Sequence, residues 1–123
     1  MIFTPIPIEG AFEVRLQRIT DHRGHFARGW CAEEFRGQHL NACAAQLNSG
    51  FSHLRGTLRG LHYQADPHAD TKFVRCTRGA VFDVLVDLRP GSPSFCHWHA
   101  VELTADNDTM LFVPEGCAHG YQT

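Results

Sequence analysis

Ala80-Val81-Phe82-Asp83-Val84-Leu85-Val86-Asp87-Leu88 reads as a strand with punctuation at both ends, Arg78-Gly79 before it and Arg89-Pro90-Gly91-Ser92-Pro93 after it. Runs of this kind, closed by Gly, Pro, Asp and Asn clusters, recur along the chain. Strands are expected near Ala45 to Asn48, Thr57 to Gln64, Lys72 to Thr77, Trp98 to Leu103 and Met110 to Val113. Asp66-Pro67 and Asp106-Asn107-Asp108 supply further breaks. Toward the N-terminus, Phe12, Val14 and Leu16 alternate with Glu13, Arg15 and Gln17, the period-two pattern of a half-buried strand. Asp21-His22-Arg23-Gly24 then makes a turn, and His25 to Trp30 is the returning strand. One helix is expected, Ala32 to Leu40, short and broken at Gly37. Short strands at this spacing predict an all-β antiparallel sandwich or barrel.

At 123 residues the chain is expected to form a single domain, residues 1–123, around one core. A 43% hydrophobic and 20% charged composition is that of a globular protein. Net charge is −2, with ten arginines and one lysine scattered singly, so no basic stripe offers itself to a nucleic-acid backbone. Apolar runs fall far short of the ~20 residues of a membrane helix. The N-terminus also lacks a basic segment followed by an apolar one, and the expected location is the cytoplasm. Cys31, Cys43, Cys76, Cys96 and Cys117 form no C-x-x-C pair and read as free thiols.

Two histidine-bearing patterns stand on this β scaffold. Pro114-Glu115-Gly116-Cys117-Ala118-His119 fits the second signature of the cupin barrels, and Gly56, His62 and Gly79 partly fit the first. A metal-binding cupin places a histidine and a glutamate where this chain has Gln64 and Lys72. An ammonium repels a divalent ion and a glutamine carbonyl is a poor transition-metal ligand, so no metal and no cofactor are expected. His97-Trp98-His99 has a spacing that can bind metal, but no third ligand is evident nearby. What remains is a histidine, a lysine and arginines. A neutral imidazole, with a pKa near ~6.5, can remove a proton. A fixed ammonium can stabilise the resulting oxyanion, and arginines bind phosphate by a two-pronged fork. The set points to carbanion chemistry on a phosphorylated keto compound. Strict alternation would turn Arg59 away from His62, leaving it in an exposed ion pair unless a bulge at Gly60 brings both inward.

Arg59-Gly60-Leu61-His62-Tyr63-Gln64, Lys72, Gly79, Asp83-Val84, Val86-Asp87-Leu88-Arg89, Gly91-Ser92-Pro93 and Pro114-x-Gly116-x-x-His119-Gly120 occur in order, together with Asp21-x-Arg23-Gly24-x-Phe26 and Gln46-x-Asn48. In this the chain resembles the dTDP-4-dehydrorhamnose 3,5-epimerase family from about Ile8 onward. The resemblance implies a cupin-type antiparallel β-barrel, or jelly roll, with one short helix near the N-terminus. It also implies a metal-free homodimer that epimerises a nucleotide-linked 4-keto-6-deoxy sugar at C3, C5 or both.

By resemblance His62 matches the general base and Lys72 the group that stabilises the enolate. Arg59 and His119 match residues near the sugar and diphosphate. Arg23, Phe26, Gln46 and Asn48 match nucleotide-binding positions, some reaching across the dimer. Asp83 either orients a neighbouring histidine or is a strand acid satisfied by backbone amides or an arginine. Arg28 and Gly50 depart from the family's usual glutamate and serine; Arg28 either alters nucleotide preference or faces solvent. Family members also continue past the position of Thr123, with a tyrosine that reprotonates the sugar and an aspartate that pairs with the base histidine. The expectation is therefore a part of a longer enzyme with little epimerase activity alone, and the alternative is a non-catalytic nucleotide-sugar-binding module.

Overall fold

The computed structural model describes residues 1–123. In chain order the elements are β1 (Ile2–Pro5), β2 (Phe12–Arg15), β3 (Arg18–Asp21), β4 (Gly24–Ala27), α1 (Ala32–Gly37), β5 (Leu58–His62), β6 (Lys72–Arg75), β7 (Ala80–Asp87), β8 (Trp98–Thr104), β9 (Thr109–Val113) and β10 (Cys117–Gln122). They form two four-stranded sheets, β1-β2-β9-β6 and β5-β10-β7-β8, and a separate β3–β4 hairpin. Every pairing is antiparallel.

Apolar parity explains how the sheets stack. All five residues of β9 are buried. Leu111 and Val113 point between the sheets, where they meet Leu85 of β7, Leu103 of β8 and Cys117 of β10. Met110 and Phe112 point the other way, onto Phe35 of α1 and Val14 of β2. A strand covered on both faces reads as a continuous apolar run rather than an alternating one. The helix has six residues, too few to stand alone. Phe35 anchors it, with ring centroids 5.2 Å from Phe3 and 5.0 Å from Phe73.

The turn after β7 is held by a buried carboxylate. Asp87 accepts hydrogen bonds from the Arg89 backbone N–H, Nε and Nη2 and from the hydroxyls of Ser92 and Ser94, at 2.6–2.9 Å. Chiefly through Arg89, these bonds hold its carboxyl well below the usual carboxylate range, burial opposing. Arg89 reaches on to the Glu9 carbonyl, and its stem lies where a Cβ at Gly116 would sit. The Arg89 to Pro93 run and the Pro114-x-Gly116 turn are thus two sides of one packed corner.

The sandwich, the helix and most strands match the sequence-based expectations, with five differences. β1 and β3 lie outside the expected strands. Ala45 to Asn48 is not a strand but part of an irregular, mostly exposed segment. The helix stops at Gly37, and the segment after the Gly116 turn is a full strand, β10. No helix is long and apolar enough to cross a membrane. All five thiols are unpaired, and burial pushes that of Cys117 up to about 11.

Candidate active site

Strand register decides which polar side chains share the space between the sheets. His62 of β5 pairs with His119 of β10, which pairs with Leu85 of β7. In the next row Arg59 pairs with Tyr121, which pairs with Asp83. Directly paired residues project to the same side, and Leu85 lies in the inter-sheet core. His62, Arg59, His119, Tyr121 and Asp83 therefore share the inner face, exposed on edge strand β5 and buried or half-buried toward β7.

Arg59 and His62 can share that face because β5 carries one extra residue. Their partners Tyr121 and His119 are two positions apart while they are three apart, and the register shifts between the two pairs. The bulge sits at Gly60, whose φ is +110°. A Cβ there would lie 2.6 Å from Gly120 Cα and 2.8 Å from the His119 carbonyl oxygen, and one on Gly120 would lie 2.6 Å from the Arg59 carbonyl oxygen. Two facing glycines let the backbones approach closely enough to close the bulge. Arg59 makes no ion pair; its Nε and Nη2 donate to Ser52 Oγ and the Phe51 carbonyl.

Lys72 enters from the opposite sheet. On β6 it pairs with Val113 and shares parity with Val74, both of which pack in the inter-sheet core. Its Nζ lies 2.5 Å from Asp70 Oδ1. Lys72, His119, Tyr121, Gln64, Gln46 and Asn48 line one open cleft of about 1760 Å³. The irregular segment carrying Gln46 and Asn48 forms its outer wall.

His119 Nε2 lies 2.9 and 3.0 Å from the two carboxyl oxygens of Asp83. Asp83 is fully buried and His119 is 8% exposed. Asp83 thus meets a histidine side chain rather than an arginine. Burial raises its carboxyl pKa, and the hydrogen bond from His119 opposes that rise. With the carboxylate ionised, Nε2 carries the hydrogen and Nδ1 is the atom left to meet a ligand.

Other candidate residues fall elsewhere. Arg23 and Phe26 stand on the β3–β4 hairpin, outside the cleft, in a small hollow with Ile19, Asp21 and His25. Arg23 pairs with Asp21 at 2.6 Å. Arg28 pairs with Glu34 of α1 at 2.8 Å, and Glu34 also binds the N-terminal ammonium. His99 contacts Glu13 across the sheets at 3.0 Å, and no group of three or more His, Cys, Asp or Glu side chains is gathered to hold a metal. Two residues near the cleft are not among the expected site residues. Asp70 sits two positions before Lys72, and Tyr121 sits two after His119 with its hydroxyl beside Gly50. Period-two parity with His119 could have placed Tyr121 on the inner face; Asp70 precedes its strand and carries no such signal.

Residues 5–123 match the family described as dTDP-4-dehydrorhamnose 3,5-epimerase. The chain belongs to that family. It is 42% identical over 123 residues to the dTDP-4-dehydrorhamnose 3,5-epimerase of Sinorhizobium fredii, covering 100% of this chain and 63% of that relative. The crystal structure of the epimerase from Elizabethkingia anophelis superposes with a TM-score of 0.94 at 36% identity, covering 100% of this chain and 67% of the other. That of the Bacillus anthracis epimerase, with TDP and PPi bound, gives a TM-score of 0.94 at 35% identity, covering 99% of this chain and 70% of the other. The cupin-type fold of the epimerase family is therefore the fold of this chain, which spans roughly two thirds of the length of the curated relatives it matches.

Proposed function

We propose that the cleft binds a dTDP-linked 4-keto-6-deoxy sugar and epimerises it without a metal, through an enolate. His62 removes the proton from the carbon next to the ketone. The electron pair of the broken C–H bond moves into the new C=C bond and the carbonyl oxygen becomes an oxyanion. The Lys72 ammonium lies against that oxyanion, and return of a proton to the opposite face of the carbon completes the inversion. Arg59 and the Asp83-oriented His119 lie beside the sugar and diphosphate, and Gln46 and Asn48 beside the nucleotide. The observation that carries this reading is Lys72 on the inner face of one sheet, lining the same cleft as His119, whose row on the other sheet also holds His62. A histidine base and an ammonium on facing sheets are what proton removal next to a ketone needs.

Arg23 and Phe26, standing away from the cleft of their own chain, fit a homodimer in which each hairpin serves the partner's nucleotide site. The test of the chemistry is proton exchange. Incubated in D2O with dTDP-4-dehydro-6-deoxyglucose, the protein should incorporate deuterium at C3, C5 or both, and the number of deuterium atoms per sugar distinguishes one epimerised carbon from two. His62→Ala should abolish the exchange; exchange that survives it would remove His62 from the base role. A second reading, a nucleotide-sugar-binding module with weak catalysis, is favoured by one feature: His62 has no side-chain hydrogen-bond partner to orient it. Calorimetric binding of dTDP without exchange would select that reading.

A further inference from the structure

The sole lysine of the chain does not stand free in its cleft. Its Nζ is 2.5 Å from Asp70 Oδ1, with both side chains partly sheltered, at 24% and 33% exposure. Asp70 lies just before β6 and lines the same cleft as Lys72, Gln64 and His119. A lysine side chain has four rotatable carbons and a compact charge, so nothing in its own geometry specifies where the ammonium rests. At the first position of β6 it also lacks neighbouring strand residues on one side to restrict it. The carboxylate two residues earlier supplies the missing constraint. It holds the charge at the wall of the cleft that His119 also lines.

We propose that Asp70 is a positioning residue for Lys72, setting where the ammonium stands for the oxyanion. The inference rests on the enolate reading above. Catalysis by a fixed charge depends on its being in place before the charge develops, and displacement by about 1 Å costs on the order of 10²-fold in rate. Removing Asp70 should therefore lower kcat and leave KM nearly unchanged, because the ammonium matters most once the oxyanion forms.

The test combines kinetics with a direct reading of the lysine. Reductive methylation with 13C-formaldehyde labels one lysine ε-amine per chain, so the methyl signal of Lys72 is read alone beside that of the N-terminus. In the wild-type protein it should be shifted and broadened relative to free dimethyl-lysine. Asp70→Ala should return it to the free position, and Asp70→Glu should retain part of the shift. In the exchange assay, on unlabelled protein, Asp70→Ala should lower kcat roughly 10- to 100-fold with KM within about twofold, and Asp70→Glu should recover part of the loss. A wild-type signal already at the free position overturns the proposal whatever the activity. So does wild-type exchange that Asp70→Ala leaves at full kcat. Absence of wild-type exchange with a restrained Lys72 signal overturns the enolate reading while upholding the contact.

Discussion

At the scale of single residues, the buried carboxylates of β7 do different work. Asp83 faces a histidine in the cleft and has its pKa raised by burial. Asp87, four residues on, faces an arginine and two hydroxyls, and its pKa is lowered chiefly by Arg89. The sign for stability follows from that lowering. A carboxyl whose folded pKa lies below its unfolded value of about 3.9 contributes fully above that value, and loses the contribution as pH falls through the folded pKa. Thermal unfolding measured from about pH 5 to pH 2 should therefore show an acid-labile contribution that Asp87→Asn flattens. Equal acid slopes for the two proteins would remove Asp87 from that role. In the sequence both residues are simply acids within one strand, and only their partners on other elements separate them.

At the scale of elements, the bulge in β5 is the decisive device. Without it Arg59 and His62 would lie on opposite faces; with it both share the inner face with His119 and Tyr121. Gly60→Ala places a Cβ against the Gly120 backbone and in a φ region unsuited to an L side chain. The expected cost is more than about 1 kcal/mol of stability, seen as a lower denaturant midpoint. The expected activity loss is larger than that of a control substitution such as Gly37→Ala, on the exposed end of α1 with open space around it. Similar losses for the two would argue against the bulge as the element that sets the site. The glycine and the parity conflict at Arg59 were both legible in the sequence. Its resolution was not, because a bulge needs a partner strand with room for it, and Gly120 lies sixty positions away. The strand expected at Ala45 to Asn48 fails for a related reason: pattern alone proposes a strand there, but no sheet edge in the fold takes it up.

At the scale of the whole molecule, one chain forms a cleft from two sheets but leaves Arg23 and Phe26 outside it, with Phe26 72% exposed on the hairpin. If each hairpin completes the partner's site, His62→Ala and Phe26→Ala chains, each nearly inactive alone, should complement when assembled together. Half of randomly mixed dimers would be mixed and one of their two sites intact, so about one quarter of wild-type activity should return, as the symmetry of a two-fold dimer requires. No recovery in verified mixed dimers would place the hairpin in its own chain's site. By itself the sequence determined the all-β class, the order of most strands, the family and the roster of residues capable of proton chemistry, because these depend on local period, turn chemistry and motif spacing. Which of those residues face one another was decided only by the tertiary structure. Register across β5, β10 and β7 set the His62–His119 row, sheet stacking brought Lys72 to the opposite wall, and burial gave Asp83 its histidine. Each of these depends on contacts between segments far apart in the chain, and local pattern carries no information about them.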